Sequence, residues 1–266
     1  MHFVRIVFFV PFILLFSTRL NSQQTTTATV QRDPQAIAIL TQTLNAAGGA
    51  QAISTIQDFT ATGTITYNWA DQPVQGSVSI KGRGLLQFRL DAALPDGVHS
   101  WMVSSGSALG KHADGSTMPL PFQNARKPAS ITFPLLQLVV GIADTSTSIS
   151  YVGLVLHNGQ QVHDIRLQKI LPASTDPLGV QSRITRADFL IDPSTFSVLS
   201  VQDMAYRQDD EPGESPHEMQ FSGYQPTNGI LVPLTIKELI GGQETVSIQL
   251  SQITFNSGLT DADFTF

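Results

Sequence analysis

The twelve residues DFTATGTITYNW, 58–69, alternate between two faces. Odd positions carry Phe59, Ala61, Gly63, Ile65, Tyr67 and Trp69; even positions carry Thr60, Thr62, Thr64, Thr66 and Asn68. A period of two predicts a strand with one apolar and one hydroxyl face. Just upstream the period differs. Ile37, Leu40, Leu44 and Ala47 recur at helical spacing. Asp33 can accept from the free N–H groups of the first turn, and Pro34 fits the first helical position, where a donor is not needed. Gly48-Gly49 supplies a left-handed stop. An amphipathic helix therefore precedes the first strand, with a short turn expected around 52–56.

After that strand the chain stays extended in SVSIKG (77–82), LLQFRL (85–90), VHSWMV (98–103), SISYVGLVLH (148–157), QVHDIRLQKI (161–170), TRADFLID (185–192), VLSVQDMAY (198–206), HEMQFSGY (217–224), LVPLTIKELI (231–240) and TVSIQLSQITF (245–255). With the opener this makes about eleven runs at the spacing of an antiparallel sheet. Asn158-Gly159 is a hairpin mark, and Asp192-Pro193-Ser194, Asn228-Gly229 and Gly241-Gly242 mark further turns. Two stretches interrupt the meander. Residues 104–147 hold several Gly and Pro, then FPLLQLVVGI (133–142), a short buried helix started by Ser130 or Thr132. RQDDEPGESP (207–216) is acidic and reads as a solvated loop, lacking the alternating ligand spacing of a calcium loop. Without regular strand–helix alternation the class is α+β, a wide antiparallel sheet that must twist, curl or close.

The amino terminus follows another logic. MHFVRIVFFVPFILLFSTRLNS has Arg5 before an apolar run from Ile6 to Phe16. That run is too short to cross a bilayer core of ~30 Å, so residues 1–22 are expected to be a cleaved secretory signal rather than a membrane anchor. Residues 23–32, QQTTTATVQR, read as a flexible leader, and 34–266 as one domain. The 266 residues suffice for a substantial core. With no cysteine, an exported chain must stand on that core without disulfides and has no acceptor for an amino-terminal lipid. A net charge of −6 provides no basic footprint for nucleic acid, and loss of Arg5 and Arg19 with the signal makes the chain more acidic still.

Candidate chemistry is sparse. His99, His112, His157, His163 and His217 stand singly, outside HExxH or any other metal spacing. His157 and His163 could face each other across the Asn158-Gly159 hairpin, but two imidazoles make a poor site without a third ligand. VSSGSALG (103–110) lacks the G-x-S-x-G spacing of a nucleophile elbow. KGRG (81–84) lies between strands, and Asp188 and Glu218 have no visible partner. No catalytic residue, metal ligand or cofactor is expected. The weight falls on binding: two short helices cannot cover so wide a sheet, and the uncovered trough would be lined by Ile65, Tyr67, Trp69, Phe88 and Trp101.

Several segments carry a resemblance: the helix ending in Gly-Gly, AISTIQDFTATGTITY (52–67), LLQFRLD (85–91), IDPST (191–195), Y-x-x-x-N-G-I-x-V-P (224–233) and QLSQITFNSGLTDADFTF (249–266). Together they resemble exported LolA-like proteins, a group of periplasmic lipoprotein carriers and lipid-binding relatives, over roughly 34–266. The resemblance implies an antiparallel half-barrel with helices on its concave side and acyl chains in the trough. It implies a non-enzymatic periplasmic or secreted protein that binds a lipid or lipidated protein, with room for a membrane-associated protein partner. Arg89, after Phe88, receives no transfer role. Two other readings stay open: an interaction module that recognises a protein through the half-barrel's loops, and a hydrolase whose site is assembled from distant residues.

Overall fold

The computed structural model describes residues 30–68, 72–104, 106–121, 124, 133–206 and 213–266. Residues 1–22, Trp69, Ser130, Thr132 and 207–212 lie outside them. Thirteen strands form one open antiparallel sheet: β1 Asp58–Tyr67, β2 Val74–Arg83, β3 Gln87–Leu94, β4 Gly97–Ser104, β5 Ser107–Lys111, β6 Thr117–Pro119, β7 Thr147–His157, β8 Gln160–Lys169, β9 Ala187–Ile191, β10 Val198–Tyr206, β11 Glu214–Thr227, β12 Ile230–Ile240 and β13 Gln243–Phe255. Their order is β6-β5-β4-β3-β2-β1-β13-β12-β11-β10-β9-β8-β7. Each strand pairs with its sequence neighbour except where β1 meets β13 and where the chain passes from one edge, β6, to the other, β7. Among the described residues the two edges do not pair with each other, so the sheet is a half-barrel of α+β class.

The count exceeds the eleven runs read from sequence because β5 and β6 lie inside the 104–147 interruption. The expected turn at 52–56 is also more regular than predicted: α2, Ala50–Ser54, follows α1, Pro34–Ala46. The Asp33 carboxylate accepts from Gln35 N at 2.8 Å and Ala36 N at 3.2 Å, and Gly48 turns the chain at φ 116°. A side chain at Gly48 would sit 2.4 Å from the Gly229 carbonyl oxygen. This close approach lets the end of α1 dock, with Leu231 N donating to Ala47 O at 3.0 Å. The other predicted helix is α3, Pro134–Ala143, and a short α4 spans Val180–Ile184.

In β1 the predicted apolar face points inward: Phe59, Ala61, Ile65 and Tyr67 are buried. A register shift falls between Thr62 and Gly63, where a β-carbon would lie 2.1 Å from the Gln249 carbonyl. The bulge bends the sheet, and only glycine fits so close to the neighbouring backbone.

Helices α1, α2 and α3 cover part of the concave face. Phe133 at the head of α3 packs on Phe59 and Phe255, with centroid distances of 6.2 and 5.5 Å. Arg32, in the expected leader, forms a bridge with Ile149, and its guanidinium donates to the carbonyls of Gly141, Ile142, Asp144 and Thr147 at 2.6–3.3 Å. It thereby ties the end of α3 to the β7 edge.

The carboxyl-terminal segment crosses the opposite, convex face. Asp58 accepts from the backbone N–H groups of Ser257, Gly258 and Leu259 at 2.6–3.2 Å. Lys81 pairs with Asp263 at 2.8 Å, Arg83 pairs with Asp261, and Phe264 is buried. Arg89 belongs to this strap: it donates to Thr265 O at 2.7 Å and lies over the Phe266 ring. Among the described residues no helix is long and apolar enough to cross a membrane.

Candidate functional site: an apolar cavity with a polar rim

The helices cover the Phe59–Phe255 contact and leave part of the concave face to the sheet. A cavity of about 250 Å³ opens there, walled by Phe88, Leu90, Trp101, Val103 and Ala108 on one side and by Met219, Ile236, Val246 and Ile248 on the other. Strand parity puts these residues on one face: Phe88 pairs with Val103, Val103 with Ala108, Leu90 with Trp101, and Ile248 with both Ile65 and Ile236. The chain leaving β6 borders the same space through Leu120 and Asn124. The Asn124 amide pairs with the Tyr206 backbone in both directions, donating to Tyr206 O at 2.8 Å and accepting from Tyr206 N at 3.0 Å.

Of the residues expected to line a trough, Phe88 and Trp101 are in this wall. Tyr67 stands behind Trp101 in an edge contact at 5.5 Å, and Ile65 is fully buried beside Ile248. Trp69 lies outside the described residues. Burial, and secondarily the charge of Glu238, push the Tyr67 phenol up, so it stays neutral.

Sequence reading missed the polar part of the wall: Asp203, His217 and Glu238. His217 pairs across the ladder with Asp203 on one side and Ile240 on the other. Its Nδ1 lies 2.7 Å from Asp203 Oδ1 and its Nε2 3.2 Å from Glu238 Oε1. The Asp203 side chain is only 4% exposed, His217 15% and Glu238 30%, so Glu238 is the most open member. Burial alone would lower the imidazole pKa, but the hydrogen bonds and charges of the two carboxylates outweigh it and raise His217 to about 9. It is an imidazolium at neutral pH, with both N–H groups engaged. Glu238 sits in the row Tyr67–Val246–Glu238–Met219–Val201–Phe189, the one acid among apolar partners. The signal was present in sequence, since Asp203 shares the parity of Val201, His217 that of Met219, and Glu238 that of Ile236 and Ile240. Each is a polar residue at an inward position.

Other expected pairings fall differently. His157 and His163 do not face each other: their ladder partners are Gln160 and Leu154. His163 Nδ1 lies 3.1 Å from the Tyr151 hydroxyl, and His157 Nε2 2.9 Å from Glu218. Asp188, unpartnered in sequence, holds Arg166 at 2.7 and 2.9 Å and Arg186 at 3.0 Å. KGRG lies mostly within β2 rather than between strands. A larger cleft of about 560 Å³ is bordered by Arg183, Arg186, Asp188, Glu214 and Glu218 and shares Asp203, Met204 and His217 with the apolar cavity. In it Arg183 pairs with Glu214 and Arg186 with Asp188.

The architecture is shared with solved proteins of little sequence similarity. A LolA superfamily protein from Nitrosomonas europaea matches at 11% identity with a TM-score of 0.54, over 87% of this chain and 97% of its own. A domain from Vibrio parahaemolyticus assigned to outer membrane lipoprotein sorting matches at 12% and 0.52, over 87% and 96%. A DUF1329 family protein from Desulfovibrio piger matches at 12% and 0.51, over 88% and 98%. No protein-family model and no curated protein matches the sequence. The chain has the LolA-like fold.

Proposed function

We propose that this protein is a non-enzymatic binder or carrier of a lipid, acyl chain or lipidated protein, held in the concave cavity and acting in the periplasm or outside the cell after removal of residues 1–22. The single observation that carries this reading is the apolar cavity of about 250 Å³ on the part of the concave face that α1–α3 leave to the sheet. Phe88 and Trp101 form its wall, and Tyr67 and Ile65 support it. Burial of a tail at ~0.8 kcal/mol per CH₂ supplies affinity without a polar motif. The likeness in fold to a lipoprotein-sorting domain supports the same ligand class.

The test is organic extraction of protein purified from its native host, followed by mass spectrometry. An amphiphile at near-equimolar amount is expected, and adding it back to stripped protein should shift the emission of Trp101. No extractable amphiphile, together with no uptake of the neutral probe N-phenyl-1-naphthylamine, overturns the reading. Hydrolysis of ester, phosphate and peptide substrates is expected to be absent. Turnover that survives stringent purification and is lost on changing one residue of the Asp203–His217–Glu238 group would contradict it.

A further inference from the structure

An apolar cavity does not need a buried histidine and two acids in its wall. Placing them there carries a desolvation cost that the same strands avoid elsewhere on the concave face. The arrangement also has a direction. The His217 N–H groups both donate inward, to Asp203 and Glu238, and the Asn124 amide holds the Tyr206 backbone with one N–H and its oxygen. Glu238 accepts from His217 on Oε1 and from the Thr245 hydroxyl on Oε2 at 3.1 Å. A carboxylate has about four lone-pair sites, so Glu238 keeps two in reserve. Lys237, its neighbour in sequence, takes the opposite face by strand alternation and is held by Glu244 at 2.7 Å. Among the described residues, both His217 donors are therefore taken, while Glu238 presents a ligand with an acceptor that has sites in reserve. The two carboxylates and one imidazolium together carry a formal charge of −1.

Building on the carrier reading, we infer that the Asp203–His217–Glu238 group is a head-group site that takes an amphiphile whose polar end donates hydrogen bonds and is not anionic, with a primary ammonium as the best match and Glu238 as the contacting residue. The tail enters between Trp101 and Met219, and the head stays at Glu238, the most exposed of the three. Asp203 and Thr245 position the group: Asp203 fixes the imidazolium, and Thr245 fixes the carboxylate. A free carboxylate or phosphate head would meet the like charge of Glu238, and it is discriminated against.

Three probes with one tail separate the contributions: decylamine, decanol and decanoate, each displacing N-phenyl-1-naphthylamine from stripped protein at pH 7. The expected order is decylamine, then decanol, then decanoate, with at least a tenfold gap between the first and the last. Glu238→Gln should narrow that gap at least fivefold. The wild-type ranking needs no variant to fold and decides alone. Decanoate binding as tightly as decylamine overturns the head-group assignment while leaving the carrier reading intact. Failure of all three, with no probe uptake, overturns both. An unchanged gap in a folded Glu238→Gln protein removes Glu238 from the contact and overturns the assignment.

Discussion

Filling the cavity from its wall tests whether a tail occupies it. Ala108 on β5 is buried, faces Val103 across the ladder and borders the empty space. Ala108→Phe sends a ring into that space from a strand position, where aromatic residues are well accommodated. A dry cavity of about 150 Å³ holds one benzene, roughly 25 Å³ per heavy atom. By that measure the 250 Å³ here holds about ten tail atoms. The new ring takes about six of those places and leaves about four. At ~0.8 kcal/mol per methylene, displacing six costs a ten-carbon tail up to ~5 kcal/mol. A tail that finds other apolar surface for half of them still loses ~2.5 kcal/mol, about seventyfold in affinity. The assay is decanol displacement of N-phenyl-1-naphthylamine, with thermal unfolding in parallel. Affinity should fall at least seventyfold while the melting temperature holds or rises, because filling a void does not destabilise when the ring fits. Ala108→Leu should fall in between. A folded Ala108→Phe protein that binds decanol as wild type does would refute the assignment of the tail to this cavity.

Three further outcomes follow from other contacts. His217 has a folded pKa of about 9 against 6.5 unfolded, so its stabilising contribution is fully present below about pH 6.5 and is lost as pH rises through 9. At ~1.4 kcal/mol per pKa unit this is about 3 kcal/mol, and urea unfolding at pH 7 and pH 10 should show it, with the difference much reduced in His217→Asn. Arg32→Ala strips four carbonyls around the end of α3 of a charged donor and should cost about 2–3 kcal/mol in urea unfolding, with Arg32→Lys recovering part. Asp58→Ala leaves the N–H groups of Ser257, Gly258 and Leu259 without their acceptor and should cost about 2–3 kcal/mol, with faster amide exchange across 257–264 as the first sign.

Alternation made most of the sheet legible, because a period of two fixes the face of every side chain once one is known. The hairpins were legible for a related reason: Asn158-Gly159 and Asn228-Gly229 both take positive φ at both positions, which their sequences favour. The strands β5 and β6 stayed hidden because five and three residues among glycines and serines are too few to display a period. The convex strap was invisible because its anchor, Asp58, lies about two hundred positions away in sequence, and no local pattern records that distance. The polar rim stood between these cases. Inward parity marked Asp203, His217 and Glu238 individually, but their convergence depends on strand register. That register is reset by shifts at Val198/Ser200 and Glu238/Leu239, which sequence alone does not reveal.

The position of the cavity follows from the side chains that line the concave face. Beneath the helices large rings meet: Phe133 from α3 reaches both Phe59 and Phe255, and the layer closes. Around the cavity the sheet supplies small or pliable residues, with Ala108 and Ala205 in the wall and Gly110 beneath Trp101. Met204 and Met219 are unbranched and conform to whatever lies beside them. The acids belong to the same wall. Next to them on β12 and β11 the inward positions hold Val232, Ile236 and Phe221, all buried in the apolar core. On the proposed reading, adaptable apolar walls with an acceptor at the rim suit an amphiphile with a tail to bury and a head to leave near water.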